Sequence, residues 1–294
     1  MTETIGFVGV GLMGHGIAAN LLKAGYPMTV VGRRNRAPVE DLVSQGAREA
    51  GSAAALAAAS SVVFLCLTDA AAVEAVIGEM EAALRPGTVI VDCSTSDPVV
   101  TVQLAERLAA RGVDYCDSPL GGTPAQAEAG ELHAMVGASD AVFARLRPIF
   151  EPWTARIVHV GGVGDGHRIK LINNFLALGY GALYSEALAI ARKSGLTVAQ
   201  VDEVIRGGRM DCGFYQTFMG YVLQGNRNSH KFTLSNAYKD LRYVEAMANA
   251  ARCATPIASM VKNAYAQAVA TGGDGNEDYV CLLPDFVARA NGVG

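Results

Sequence analysis

The chain lacks the marks of several large classes of protein. No stretch reaches about 18 uninterrupted apolar residues, so we predict no membrane-spanning helix, although 51% of the 294 residues are hydrophobic. No Cys-x-x-Cys pair occurs among the six cysteines, and the five histidines do not pair at helical spacing, so we expect no metal site. Basic residues are not in surplus, at 24 against 28 acidic ones, which argues against nucleic acid as a partner.

The start of the chain also lacks the features of a signal peptide. Met-Thr-Glu-Thr runs directly into an apolar strand, without a positively charged segment and a long apolar segment before it. Scattered cysteines in a chain of this length are typical of reduced, buried thiols. We therefore expect a cytoplasmic protein, and the large apolar fraction predicts packed cores rather than disorder.

The first half of the chain alternates short apolar runs with helical segments. Val62–Leu67 is continuously apolar, which suits a parallel strand buried on both faces. The alternation predicts an α/β domain with a doubly wound sheet. The predicted strands are Ile5–Val10, Met28–Val31, Val62–Leu67, Thr88–Asp92, Val113–Asp117, His133–Val136 and Ile157–Val160. The predicted helices are Met13–Ala24, Ala53–Ala59, Ala71–Met80, Pro98–Arg111 and Asp140–Phe150, with a short helix at Pro124–Ala129.

The character of the sequence changes after the glycine-rich segment 161–166. A helical pattern then runs from about His167 to Lys193 and ends at Ser194-Gly195, a typical C-terminal cap. We place the boundary near Gly162–Gly164, which gives domains 1–162 and 163–294, the second all-α and built on this long helix. Further helices are predicted at Val198–Arg206, Tyr215–Leu223, Leu234–Ala251, Pro256–Thr271 and Pro284–Ala290. Alanine-rich helices with small faces favour close packing, and we expect a homodimer or homotetramer.

A glycine pattern follows the first predicted strand. Gly9-Val10-Gly11-Leu12-Met13-Gly14 is G-x-G-x-x-G between a strand and a helix, the context in which this pattern binds a dinucleotide. Gly9 permits the tight turn, Gly11 lets a pyrophosphate approach the backbone, and Gly14 lets helix and strand pack closely. The pattern therefore predicts a Rossmann-type domain.

The end of the second strand predicts which dinucleotide is bound. NAD-binding chains usually have Asp or Glu there, for the ribose 2′-hydroxyl. This chain instead has Gly32, Arg33 and Arg34, which leave room for a 2′-phosphate and can bind it. We predict NADP(H) as the preferred cofactor and NAD(H) as the alternative. A solvated basic loop that touches no cofactor also fits these residues.

A lysine lies early in the long helix. Lys170 and Asn174 are four residues apart and therefore on one helix face. An ammonium group there can donate a proton to a carbonyl oxygen as hydride arrives, and a neighbouring amide can hold the substrate. The residues alone also fit a surface lysine beside a surface asparagine.

Six short motifs occur in a fixed order that resembles the β-hydroxyacid dehydrogenase family. They are Gly9–Gly14, Ala19-Asn20-Leu21, Asp92-Cys93-Ser94-Thr95, Asp117–Thr123, Lys170–Asn174 and Lys239-Asp240-Leu241. The resemblance implies a Rossmann domain, an all-α domain on one long helix, and NAD(P)-dependent interconversion of an alcohol and an aldehyde on small acids.

The resemblance also implies roles for single residues. Lys170 matches the family's catalytic lysine and Asn174 its substrate-binding partner, while Thr95 matches the threonine near the nicotinamide. The implied substrate residues are Gly121, Gly122, Thr123, Asn173, Phe232 and Asp240. The implied cofactor residues are Gly9, Gly11, Leu12, Met13, Gly14, Arg33, Arg34, Leu67, Thr95 and Lys239.

The substrate loop departs from the usual family pattern. The serine that normally precedes the paired glycines is missing, because Leu120 is followed directly by Gly121 and Gly122. This shortened loop is similar to that of sulfolactaldehyde reductases, but Gly122 stands where those enzymes carry a sulfonate-binding arginine. The N–H groups of Gly121–Thr123 precede a short helix and can bind a carboxylate, so we expect a small carboxylate-bearing substrate.

Two other functions remain open. One is an imine reductase-like enzyme, and the other is a non-catalytic dinucleotide-binding module of the same fold. The presence of Lys170 argues against both, since we expect another residue at that position in either case.

Overall fold

A computed structural model describes residues 3–33, 35–275 and 277–293 of the chain. The chain forms two compact units, one up to residue 170 and the other from residue 171. The domain boundary expected near Gly162–Gly164 stays a prediction. Along the described chain, no helix is both long enough and apolar enough to cross a membrane.

The first unit is a sheet with helices on both faces. Its strands are β1 (Ile5–Val8), β2 (Met28–Val31), β3 (Arg48–Glu49), β4 (Val62–Leu65), β5 (Val89–Asp92), β6 (Asp114–Asp117), β7 (Leu120–Gly121), β8 (Leu132–Gly137) and β9 (Thr154–Gly161). Its helices are α1 (Gly14–Lys23), α2 (Ala37–Ser44), α3 (Ala53–Ala59), α4 (Ala70–Met80), α5 (Pro98–Ala109), α6 (Pro124–Ala129) and α7 (Asp140–Phe150). The strand order is β3-β2-β1-β4-β5-β6-β8-β7, with β9 beside β8. Strands β1 to β6 are parallel, and β8 is antiparallel to β6.

The central strands are buried on both faces, as their continuous apolar runs predict. Val62 and Phe64 of β4 belong to one apolar cluster, whereas Val63 and Leu65 belong to the cluster on the opposite face. All four side chains are fully buried. Complete burial of a side chain of this size contributes about 1.5–3 kcal/mol. This packing confirms the predicted doubly wound α/β architecture.

The structure also contains α2, β3 and β7, which the sequence patterns did not predict. The strands β3 and β7 have two residues each, too few to show an alternation of apolar and polar positions. Helix α2 buries only Val39 and Leu42, so its apolar face is narrow. The first strand, predicted to reach Val10, ends at Val8 because Gly9 turns the backbone with a φ of +96°.

The second unit is helical. Helix α8 (Asp165–Lys193) begins in the first unit, and its C-terminus is followed by Gly195 with a φ of +80°, as the sequence predicts. The other helices are α9 (Val198–Ile205), α10 (Gly213–Gln224), α11 (Leu234–Ala250), α12 (Pro256–Ala270) and α13 (Leu283–Ala290). Leu178 of α8 packs in one apolar cluster with Leu241 and Tyr265. The predicted all-α second half, built on one long helix, is confirmed.

Candidate active site

The loop between β1 and α1 leaves no room for side chains at two of its glycines. A Cβ on Gly14 would lie 2.1 Å from the Gly9 carbonyl oxygen, and one on Gly9 would lie 2.2 Å from the carbonyl oxygen that follows β4. A Cβ on Gly11 would meet nothing within 4 Å, and the neighbouring Leu12 is exposed while Met13 is half-buried. A tight turn with one open face fits a dinucleotide pyrophosphate at the N-terminus of α1.

Two further predicted cofactor residues adjoin this loop. Leu67 follows β4, and its Cδ2 lies 3.0 Å from the position of a Cβ on Gly9. The Leu67 N–H donates to Ser94 Oγ at 2.9 Å, and Ser94 directly precedes Thr95. The glycine loop, Leu67 and Thr95 therefore lie side by side at the carboxyl ends of β1, β4 and β5, the edge where doubly wound sheets bind ligands.

An ion pair lies at the end of β2. Arg36 Nη1 and Nη2 donate to the two carboxylate oxygens of Glu49 on β3, at 2.6 and 2.8 Å. The pair closes over Gly32, because a Cβ there would lie 2.2 Å from Arg36 Nη1. Arg33 is exposed, with its guanidinium 3.5 Å from a carboxylate of α4. Arg34, the other predicted phosphate ligand, lies outside the described residues.

The first turn of α8 is fastened to the sheet. Asp117 at the end of β6 accepts the N–H groups of Gly164 and His167, both at 2.7 Å. A Cβ on Gly166 would lie 2.5 Å from a carbonyl oxygen of β8, so the turn touches the sheet backbone directly. Lys170 follows His167 by three residues and is half-buried. The predicted catalytic lysine thus lies in the second turn of α8, close to the point where this helix leaves the sheet.

The predicted substrate loop runs from β7 into α6. Gly121 pairs with His133 of β8, and Gly122 follows with a φ of +130°. The Thr123 N–H donates to Gln126 Oε1 at 3.0 Å, and the Thr123 hydroxyl accepts the Gln126 N–H, so the two residues form a capping box. The Thr123 N–H is therefore already engaged inside the loop, unlike the free donor that the sequence suggests.

In the second unit, Asn174 and Asp240 form a buried hydrogen bond. Asn174 Nδ2 donates to Asp240 Oδ2 at 2.7 Å, and Lys239 Nζ lies 3.2 Å from the other carboxylate oxygen. The structure thus brings three predicted residues together across α8 and α11. Asn173 is exposed on α8, and Phe232 is half-buried against the apolar cluster that contains Leu178.

Two cysteine thiols lie in, or directly after, neighbouring central strands of the sheet. Cys93 follows β5 and Cys116 belongs to β6, and both are buried. Burial raises the pKa of each thiol well above its ordinary value, and Asp92 adds to the rise at both. Among the described residues, no group of three or more His, Cys, Asp or Glu side chains is placed to hold a metal ion.

Sequence patterns did not single out His167, Arg36 or Glu49. The ring of His167 contacts Ser94 and Thr101, which are 73 and 66 residues away in the chain, so no local spacing marks the contact. Arg36 and Glu49 are only 13 residues apart, but their pairing depends on the short strand β3. The available signal was a basic residue shortly after β2, Arg36, followed by an acidic residue in the next strand, Glu49.

Two family profiles together match most of the chain. Residues 4–161 match the NAD binding domain of 6-phosphogluconate dehydrogenase. Residues 164–283 match the profile described as NAD-binding of NADP-dependent 3-hydroxyisobutyrate dehydrogenase. Each profile corresponds to one structural half, the sheet domain and the helical part.

Named relatives give the same result. The chain is 35% identical to 3-hydroxyisobutyrate dehydrogenase of Pseudomonas aeruginosa, over 90% of this chain and 91% of that protein. It is 33% identical to 2-hydroxy-3-oxopropionate reductase of Escherichia coli, over 98% of each chain. The solved 3-hydroxyisobutyrate dehydrogenase of Mycobacterium tuberculosis, bound to L-serine, superimposes with a TM-score of 0.85 at 26% identity, over 96% of this chain and 98% of that chain. The chain therefore belongs to the β-hydroxyacid dehydrogenase family of NAD(P)-dependent oxidoreductases.

Proposed function

We propose that the protein interconverts a short β-hydroxy acid and its semialdehyde or keto form, with NADP(H) as preferred cofactor and Lys170 as general acid and base. The observation that carries this proposal is the attachment of the first turn of α8 to Asp117. This attachment places the start of α8 at the edge of the sheet formed by the carboxyl ends of the parallel strands. The glycine loop and Thr95 lie at the same edge.

Each residue has a defined part in this reaction. When bound, the nicotinamide cofactor accepts or delivers the hydride. Lys170 holds the proton that passes to the substrate oxygen during reduction, and takes it back during oxidation. Asn174 lies one helical turn further along α8, with its amide oriented by Asp240, and holds the substrate without changing charge.

The proposed substrate carries one carboxylate. Gly122 has no side chain, so a sulfonate would lack a bidentate arginine at this position of the loop. The loop cannot easily be altered to supply one, because Gly122 has a φ of +130° and a Cβ there would lie 2.8 Å from Leu132 Cδ2. Succinic semialdehyde, tartronate semialdehyde and 3-hydroxyisobutyrate are the substrates we expect to fit.

A substrate panel tests the proposal. NADPH oxidation is followed with semialdehydes of three to five carbons, with sulfolactaldehyde as the matched sulfonate and cyclic imines as a separate arm. We expect the highest kcat/KM for a carboxylate. Sulfolactaldehyde as the best substrate would contradict the carboxylate assignment. Turnover of imines alone would favour an imine reductase, and no turnover at all would favour a non-catalytic module.

The preference for NADPH over NADH is a separate prediction. The pKa of Glu49 is lowered because Arg36 hydrogen-bonds to it, so the fold supplies an ionised acid near the end of β2. We expect Arg36 to neutralise this acid and Arg33 to bind the 2′-phosphate. A charged contact of this kind is worth about 1.5–3 kcal/mol, or roughly 10–150-fold in affinity.

Arg36→Ala should therefore weaken the preference for NADPH. Without its partner, the Glu49 carboxylate repels a 2′-phosphate and can accept a ribose hydroxyl, so we expect the ratio of kcat/KM for NADPH to that for NADH to fall at least about tenfold. Arg48→Ala, an exposed arginine beside Glu49, is the control and should leave the ratio unchanged. A wild-type enzyme that prefers NADH would overturn the assignment.

We also propose that the protein is at least a homodimer through the second unit. A stripe of large apolar side chains is exposed on α8 and α12, and it consists of Ile172, Leu176, Leu183, Ile190, Ile257 and Met260. Gly179 lies between Leu176 and Leu183 on α8, so the backbone of a second copy can approach this face closely. Burying the six side chains would contribute on the order of 10 kcal/mol per protomer. Most monomeric proteins do not leave an apolar surface of this size exposed to water.

Leu183→Glu should disrupt this contact. Leu183 is 64% exposed in the stripe, and a buried carboxylate there would have no partner. We expect the mass measured by light scattering to change from that of a dimer or larger assembly to that of a monomer at micromolar concentration. Val204→Glu, at a 78% exposed position of α9, is the control and should leave the mass unchanged. A monomeric wild-type protein would contradict the proposal.

A further inference from the structure

His167 is completely buried at the start of α8, and it hydrogen-bonds to Ser94, Thr101 and Asp117. Its Nε2 lies 3.0 Å from the Ser94 carbonyl oxygen, which accepts and cannot donate, so Nε2 carries a proton. Its Nδ1 pairs with the Thr101 hydroxyl at 2.8 Å. The ring thus links the first turn of α8 to the segment after β5 and to α5.

Two buried carboxylates flank this ring. Asp92 Oδ2 lies 3.9 Å from Nε2, and Asp117 Oδ2 lies 3.8 Å from Nδ1. Asp92 accepts the Tyr115 hydroxyl and the Ser94 N–H, both at 2.9 Å. Asp117 accepts the N–H of His167 itself. Since buried carboxylates are costly without partners, a network this complete fixes the geometry of its members.

The network joins the two places on which the proposed reaction depends. On one side, the Ser94 carbonyl directly precedes Thr95, the residue expected near the nicotinamide. On the other side, His167 lies three residues before Lys170, so the two share one stretch of helix. A rotation or shift of the first turn of α8 would therefore move the Lys170 ammonium relative to Thr95.

We propose that His167 is a positioning residue, whose Nε2–H···O=C bond to Ser94 sets the distance between the Lys170 ammonium and the carbon that exchanges hydride. This inference rests on the proposed function of Lys170 and extends it to a residue that does not touch substrate or cofactor. A misplacement of about 1 Å can reduce a rate by about 10²-fold, so the contact has a large expected effect on kcat.

Two variants of similar length separate the hydrogen bond from packing. Gln places an amide N–H near the position of Nε2 and can still donate to Ser94, whereas Met fills similar volume without a donor. We expect His167→Met to lower kcat by about 30–100-fold and His167→Gln to retain most of it. The Kd for NADPH should stay within about threefold of wild type in both, because His167 is fully buried and hydrogen-bonds to Ser94, Thr101 and Asp117 rather than to the glycine loop.

Hydride transfer from deuterated NADPH provides a readout that partial unfolding does not move. Misalignment slows the chemical step, so we expect the primary isotope effect on kcat to rise in His167→Met and to return towards the wild-type value in His167→Gln. Loss of folded enzyme would lower the rate without changing the isotope effect. His159→Met is the matched control, because the His159 ring also lies 2.8 Å from a carbonyl oxygen, that of Ala138, but belongs to β9 and not to α8.

The possible results distinguish a failure of the positioning role from a failure of the proposed function. Equal kcat values for the Met and Gln variants, or a Met variant within threefold of wild type, would overturn the positioning role. If His167→Met does not fold, His167→Asn keeps a polar group near the position of Nδ1 but is too short to donate to Ser94, and an unchanged isotope effect in that variant would equally overturn the positioning role. A wild-type enzyme without turnover in the same assay would instead contradict the proposed function, so the two failures are distinguishable.

Discussion

Lys170→Ala should lower kcat by about 10²–10⁴-fold, the range that general acid–base catalysis contributes. The Kd for NADPH should change little, because Lys170 is expected to meet the substrate oxygen and not the nucleotide. Steady-state kinetics with the best semialdehyde gives kcat, and fluorescence titration gives the Kd. Lys170→Arg should not restore the rate, since a guanidinium stays protonated and has a different shape.

The control for this experiment is Lys23→Ala, which removes an exposed lysine from the last turn of α1. That variant should keep the wild-type kcat. If Lys170→Ala retained more than about a tenth of the wild-type kcat, the residue would not be the proton donor, because general acid–base groups contribute far more than that.

Asn174→Asp should have the second largest effect. It places a carboxylate within hydrogen-bonding distance of Asp240, at a position where Asn174 Nδ2 now donates across 2.7 Å. Both positions are buried, and two carboxylates in contact cannot both ionise. Breaking a buried charged contact costs about 3–5 kcal/mol, so we expect kcat/KM to fall by roughly 150–4,000-fold at pH 7.

The pH dependence of this variant has a definite sign. Repulsion raises the pKa of one carboxyl of the new pair, and when that carboxyl is protonated it can donate to the other. Activity relative to wild type should therefore rise as the pH is lowered from 9 to 5. Asn263→Asp, exposed on α12, is the control and should show no such trend. A variant within threefold of wild type at pH 7 would show that the Asn174–Asp240 bond is not needed.

The sequence predicted those parts of the fold that leave local patterns. The parallel strands were visible in the sequence because a strand that is buried on both faces, such as Val62–Leu65, is an unbroken apolar run. The long helix was visible because it ends at Gly195, a standard C-terminal cap. The strand β3 has only Arg48 and Glu49, both exposed, so neither periodicity nor burial could mark it. Short edge elements are fixed by the neighbouring strand rather than by their own residues.

The same limit applies to the candidate site. Lys170 and Asn174 could be placed on one helix face because their spacing is local. The bond between Asn174 and Asp240 spans 66 residues, and only the packing of α8 on α11 brings the two side chains together. The bond between His167 and Ser94 spans 73 residues and is equally invisible in the sequence. Motifs therefore predict the proposed reacting groups, whereas the buried contacts around them are visible only in the structure.

The buried thiols have a consequence for an enzyme whose proposed substrates include aldehydes. An aldehyde is an electrophile, and it adds to a thiolate far more readily than to a protonated thiol. Cys93 and Cys116 lie within or just beyond strands that lead to the cofactor edge, yet burial raises the pKa of both, so they stay protonated at neutral pH. High concentrations of the proposed aldehyde substrates should therefore not inactivate the enzyme by reaction at these two sulfurs.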